Sequence, residues 1–150
     1  MMADFLETTV DEFIFRVAAD RLYSPDGVWV QELERNHVRL GLSDFFQQRN
    51  GDVAFAAVQP VGTALAIDDE IASIETIKVN LSIPSPLSGK VAAVNSILTT
   101  QPEKINQDPY GEGWLCEIEA RAWDSESKHF LSPQEYFEKM KKDAEEEVKK

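Results

Sequence analysis

Ile74-Glu75-Thr76-Ile77-Lys78-Val79-Asn80-Leu81-Ser82-Ile83-Pro84-Ser85-Pro86-Leu87-Ser88-Gly89 is the stretch from which the rest of the chain is best read. Leu81 and Ile83 alternate with Asn80 and Ser82, the period of two that turns one side of a strand to a core and the other to water. The β-branched pair Ile77 and Val79 straddles Lys78, and Pro84, Pro86 and Gly89 punctuate the chain beyond Ile83. This spacing predicts strands over Glu70–Glu75 and Lys78–Ile83 joined by a tight turn. Ile77 and Val79 are expected to anchor inward against the sheet, which would thrust the Lys78 side chain outward.

Working outward, short β-branched segments broken by Gly, Pro, Asn and Asp continue from Val28 to about Glu119, the mark of an all-β unit. The further strands expected are Val28–Leu33, Val38–Gly41, Asp52–Val58, Gly89–Val94 and Trp114–Ile118. Ser43 should cap a single helical turn through Gln48. Ser132-Pro133-Gln134-Glu135 places a cap before a proline at the first helical position, and Tyr136, Phe137 and Met140 then form a stripe able to pack on the β core. Residues 1–20 form an extension, with Phe5, Phe13, Phe15 and Val17 available to add a strand or helix, residues 21–140 the domain, and the charged tail 141–150 is expected to fray into solvent. Val61-Gly62-Thr63-Ala64-Leu65 echoes Leu87-Ser88-Gly89-Lys90-Val91, one before Lys78 and one after it. Two similar units about a central hairpin predict a mainly β fold, a flattened pseudo-symmetric barrel with a short helix and a C-terminal helix.

Composition narrows the function. The 150 residues carry 27 acidic and 15 basic side chains, a formal net charge of −12, which repels nucleic acid and anionic membrane and favours transient docking on basic protein surfaces. No apolar run approaches the roughly 20 residues of a membrane span, and the N-terminus has no secretory signal, so the chain reads as cytoplasmic. Cys116 is the only cysteine, which excludes an internal disulfide and a cysteine metal cluster; it reads as a small buried hydrophobe. The two histidines, His37 and His129, stand in polar settings without a nucleophile motif, so neither a hydrolase nor a metal site is expected. Any redox-active sulfur must come from a cofactor.

An exposed amine on a long stem with a fixed root is what an acyl carrier needs, although a lone strand lysine is usually only a solvated cation. The surrounding residues decide the matter. Glu75-Thr76-Ile77-Lys78, a short extended segment, then Pro86-Leu87-Ser88-Gly89 resembles the attachment frame Glu-Ser-x-Lys … Pro-x-Ser-Gly of glycine-cleavage H proteins, with unchanged spacing. Asn106-Gln107-Asp108-Pro109-Tyr110-Gly111-Glu112-Gly113-Trp114 resembles the same family's Asn-x-Asp-Pro-Tyr-Gly-x-Gly-Trp block. Val38-Arg39-Leu40-Gly41-Leu42 and Gly51-Asp52-Val53 resemble its early strand and the turn after its short helix. The likeness spans roughly residues 22–140.

The resemblance implies a barrel-sandwich hybrid of the lipoyl-domain type and a non-catalytic, monomeric carrier. Lipoate would be bound covalently to Lys78, with Glu75 and Gly89 supporting recognition by the lipoate-attaching enzyme. The arm would swing between partner enzymes, bearing an aminomethyl group in glycine cleavage, fold into a shielding surface cleft when loaded, and be reoxidised by dihydrolipoamide dehydrogenase. The loop Asp108–Trp114 is read as structural, with Gly111 and Gly113 as turn residues and Trp114 as an anchor. Three alternatives stand beside this. A biotin carrier is disfavoured because Ile77 and Val79 replace the methionines that usually flank its lysine. Gly27-Val28-Trp29 in place of the family's His-Glu-Trp, and Thr76 in place of Ser, resemble lipoate-binding proteins that serve a heterodisulfide-reductase-like complex in sulfur oxidation. An unlipoylated protein-binding scaffold is the third.

Overall fold

In the computed structural model, residues 4–149 are described; Met1–Ala3 and Lys150 lie outside them. The chain opens with an antiparallel hairpin, β1 (Phe5–Val10) and β2 (Phe13–Ala18), so the extension is a pair of strands. Next come β3 (Leu22–Tyr23), β4 (Val28–Glu34), β5 (His37–Leu42), α1 (Asp44–Asn50), β6 (Val53–Val58), β7 (Ala64–Leu65), β8 (Glu70–Thr76), β9 (Asn80–Pro84) and β10 (Gly89–Val94). After α2 (Lys104–Gln107) come β11 (Cys116–Ala120), α3 (Trp123–Glu126) and the long α4 (Pro133–Val148).

Two sheets enclose the main core: one of six strands, β3-β4-β5-β11-β10-β7, and one of three, β6-β8-β9. They are not joined into a closed ladder, so the flattened barrel is in detail a sandwich of two separate sheets. The echoed glycine segments lie side by side: Leu65 pairs with Gly89 and Ala64 with Lys90, antiparallel, as two units related by a two-fold would.

The apolar run Val28-Trp29-Val30 is explained by a sheet buried on both faces. Val28 and Val30 point into the main core, while Trp29 joins Phe15, Val17, Tyr23, Phe45, Tyr136, Met140 and Ala144 in a second cluster. Trp29 lies opposite Gly41 on β5, and a Cβ at Gly41 would collide with the indole ring. Its Nε1 donates to the Pro109 carbonyl at 3.0 Å, and the Arg21 guanidinium sits 4.5 Å above it.

The caps are as expected: Ser43 accepts from the Phe46 N–H, and Ser132 and Glu135 form a capping box. The tail is a correction. Residues 141–149 do not fray, because α4 runs to Val148 with Ala144 buried beneath it and Glu147 paired with Arg49 at 2.6 Å. Ala144 falls four residues after Met140, so the apolar stripe continues under a charged exterior. The last expected strand also shifts, beginning at Cys116 and not at Trp114.

Cys116 is buried, and burial pushes its thiol up to about 12, which fits a core residue. His37 and Arg39 both reach Glu117, at 2.7 and 2.6 Å, on the sheet that does not carry Lys78. Burial opposes ionisation of that carboxyl, but the bonds from His37 and Arg39 outweigh it and hold the group below its ordinary range. A depressed folded value contributes stability at neutral pH that is lost as pH falls through it. Glu117→Gln should therefore cost roughly 1–2 kcal/mol at pH 7. In urea titrations its deficit against the parent should shrink below about pH 4, and a deficit independent of pH would rule out the ion cluster as its cause.

Candidate functional site

Lys78 sits in the turn between β8 and β9, with β9 starting at Asn80 and not at the lysine itself. The turn is closed by Thr76. Its N–H donates to the Val79 carbonyl at 2.8 Å, and its Oγ1 accepts from Lys78 N–H at 3.1 Å and Val79 N–H at 3.0 Å. One hydroxyl thus satisfies the backbone of the hairpin tip, work a serine hydroxyl could also do. The Ile77 N–H donates to the Asp52 carbonyl at 3.0 Å, tying the tip to the loop before β6.

That loop is held in turn by Asn106, at the head of the second motif. Its Oδ1 accepts from Val53 N–H at 2.8 Å, and its Nδ2 donates to the Gly51 carbonyl and to Gln47 Oε1, each at 3.0 Å. Gly51, at φ +88°, offers a side-chain-free surface on which the Lys78 methylenes lie. Asn106, Gly51, Asp52 and Thr76 fix the root of Lys78, while among the described residues its amine joins no ion pair. Sequence reading missed this bracing, although Thr76 and Asn106 both lie inside the two motifs.

The expectation that Ile77 and Val79 anchor inward is corrected. They are 73% and 43% exposed. The tip of a two-stranded turn projects past the sheet and has no core beneath it, so hydrogen bonds to Thr76 and Asp52 set its shape. Both apolar side chains are instead presented beside the lysine.

Glu75 is exposed on β8, opposite Asn80 on one side and Phe55 on the other, so the structure brings it to the lysine's end of the hairpin. Gly89 is elsewhere. It is buried on the six-stranded sheet beyond the far end of β9, and a Cβ there would strike the Glu119 carbonyl oxygen. Its neighbours are equally structural: Ser85 Oγ donates to the Leu87 carbonyl at 2.6 Å, and Ser88 donates to the Glu126 carboxylate through both N–H and Oγ. Gly89→Ala should lower stability by about 1–3 kcal/mol because backbone, not a mobile side chain, must give way. Thermal melting checks this; an unchanged melt with lost lipoylation would make Gly89 a direct recognition element.

The second motif behaves as a brace. Arg21 donates to the Tyr110 carbonyl, Tyr110 Oη donates to the Arg16 carbonyl, and Asn95 Nδ2 donates to the carbonyls of Glu112 and Trp114. Gly113 has no room for a Cβ against the Lys104 carbonyl, and Arg39 stacks 4.4 Å over the half-buried Trp114 ring.

Two clefts open beside the hairpin and share Phe45 and Arg49. The smaller, about 240 Å³, has Lys78 on its lip and apolar walls from Val10, Phe13, Phe15, Phe45 and Val148. The larger, about 500 Å³, runs along β9 between Leu81, Ser82 and Pro84 and the polar groups of Asp26, Lys139 and Asp143. Among the described residues no cluster of His, Cys, Asp or Glu could hold a metal ion, and no helix is long and apolar enough to cross a membrane.

The sequence profile of the Glycine cleavage H-protein family matches residues 21–143. The chain is 44% identical over 97 residues to a glycine cleavage system H protein of Coprothermobacter proteolyticus, covering 65% of this chain and 76% of that one. It is 41% identical over 122 residues to a probable glycine cleavage system H protein of Natronomonas pharaonis, covering 81% and 94%. Its fold superposes on the crystal structure of a glycine cleavage system H protein from Mycobacterium marinum with a TM-score of 0.69 at 25% identity, covering 80% of this chain and 95% of that chain. The braced lysine hairpin, the mainly β sandwich and these matches agree: the chain belongs to the glycine cleavage H-protein family, and is a non-catalytic carrier subunit, not an enzyme.

Proposed function

We propose that this chain is the lipoyl carrier of a glycine cleavage system, with lipoate in amide linkage to Lys78 Nζ. The observation that carries the reading is the exposed Lys78 at the tip of the β8–β9 hairpin, its backbone clamped by Thr76 and Asp52. The residues present fit the group: the amine is open to a modifying enzyme, and the stem rests on Gly51 without obstruction. Lipoate there supplies a disulfide ring that opens to accept a group and re-forms on oxidation.

The chain's own part is to fix the root and leave the arm free to swing. Glu75, on the same end of the hairpin, is the acidic group offered to the lipoate-attaching enzyme. Gly89 acts through the fold by letting β10 approach β11. The partners are the glycine cleavage enzymes and dihydrolipoamide dehydrogenase, met by a monomeric carrier in the cytoplasm. A net charge of −12 supports weak docking on basic surfaces that fades as salt rises. In the polar cleft along β9, where Asp143 is paired with Lys139, Asp26 and Ser82 are the groups available to a loaded arm ending in a cationic aminomethyl group.

One observation favours a second cargo, a sulfur species delivered to a heterodisulfide-reductase-like complex. At Gly27, where the family motif has histidine, a Cβ would meet Tyr136 Oη at 3.1 Å and Ser43 Oγ at 3.2 Å. Gly27 stands at φ +93°, so any side chain there would be strained as well as close to those two hydroxyls. Reconstitution decides between the two. The lipoylated chain is mixed with glycine cleavage enzymes, glycine, tetrahydrofolate as acceptor of the one-carbon unit, and NAD+, and NADH formation is monitored. Glycine-dependent NADH that saturates with carrier supports the aminomethyl cargo; none from a fully lipoylated chain supports the sulfur one.

A further inference from the structure

We propose that the N-terminal hairpin gives this carrier an apolar seat for the uncharged, oxidised end of its own lipoyl arm, separate from the polar cleft along β9. The inference rests on Lys78 being the lipoylated residue. Strands β1 and β2, which build this wall, lie outside residues 21–143, the part matched by the family profile. It is firmly attached. Phe15 packs edge-on against Phe45 at 5.5 Å, Gln48 Nε2 donates to the Ile14 carbonyl at 2.8 Å, and the Arg16 N–H donates to Asp44 Oδ2 at 2.9 Å.

Between this hairpin, α1 and the end of α4 lies the smaller cleft, with Lys78 on its lip. The tether decides the occupant. An arm rooted at the mouth of a cleft meets it at a high effective concentration, so even a weak seat is populated. The chemistry of the walls then selects which form of the arm enters. Phe13 and Val148 are 59% and 49% exposed, apolar area that an aliphatic chain would cover, and aromatic edges favour contact with sulfur. The two charged groups on the wall, Arg49 and Glu147, are paired with each other at 2.6 Å and leave no uncompensated charge for a charged guest. A cationic end would lose its water there without gaining a partner, whereas the neighbouring cleft offers Asp26, which joins no ion pair among the described residues, beside the Lys139–Asp143 pair. The two clefts thus sort the arm by the charge of what it carries.

The test uses the full lipoylated chain labelled with 13C on phenylalanine. Intact mass and a peptide map first establish one adduct on Lys78; its absence would sink the attachment reading and is visible before the cleft is probed. NOEs are then sought between the dithiolane ring protons and the rings of Phe13 and Phe15, and the rate of dithiolane reduction by a water-soluble phosphine is measured. Cross-peaks are expected, with reduction roughly three- to tenfold faster in Phe13→Asp than in the parent. Should Phe13→Asp disturb the hairpin, Val148→Asp alters the opposite wall and should show the same acceleration. Arm protons without NOEs to either ring, and a parent reduced as fast as both variants, would overturn the proposal.

Discussion

Lys78→Arg is expected to fold as the parent does and to carry no lipoate at all. The side chain is exposed and its methylenes only rest on Gly51, so an arginine stem of similar length fits, with stability changed by no more than about 0.5 kcal/mol. The guanidinium stays protonated and offers no free amine for an amide bond. Intact mass should show the unmodified chain even beside an active lipoate-attaching enzyme, and urea titration should overlay the parent. Glycine-dependent NADH formation should fall to the level without carrier. Turnover that survived the substitution would place the attachment on another lysine and dissolve the role given to Thr76, Asp52 and Asn106.

Trp29→Ala should be the most destabilising single truncation in the chain, costing about 3–5 kcal/mol. The indole is fully buried between the six-stranded sheet and the second cluster, with Gly41 beneath it and Arg21 above it. It also donates the bond that holds the Pro109 carbonyl, so its removal leaves a cavity, an unpartnered carbonyl and a guanidinium without its aromatic floor. Tyr110, which links that loop to Arg16 in β2 and to α1, would lose its support. Urea denaturation measures the loss from the shift in midpoint at constant slope. A loss near 1 kcal/mol would mean that the second cluster closes around the gap and that the loop does not depend on the indole.

The fold is legible wherever apolar alternation is clean, as in β9, and wherever a cap carries its own signature, as at Ser43 and Ser132. It is illegible where the determinant lies across the chain. The hairpin β1–β2 turns on Asp11 and Glu12 at φ +48° and +73°, a left-handed pair without the glycine or asparagine that usually announces it. Strands β3 and β7 are two residues each, too short for any period to show. The tail reads as almost wholly charged because only Ala144 and Val148, four residues apart, carry the stripe onward.

The site divides in the same way. The attachment frame singles out Lys78 from its spacing to Glu75 and Gly89, but it gives one kind of duty to two different kinds of position. Glu75 is on the surface, and Gly89 is pressed against the Glu119 backbone. β-Branching alone points Ile77 and Val79 inward, because residue type carries no information on whether a turn has a core beneath it. Asn106 could have been found by asking why a loop motif begins with a side chain able to donate and accept at once.

The most direct measurement is the intact mass and peptide map of the protein isolated from its native host. A single lipoyl adduct on the peptide containing Lys78 is the expected result, and a further mass on that adduct would identify the carried group. A wholly unmodified chain, from cells whose other lipoyl enzymes are modified, would contradict the carrier reading and leave a protein-binding scaffold in its place.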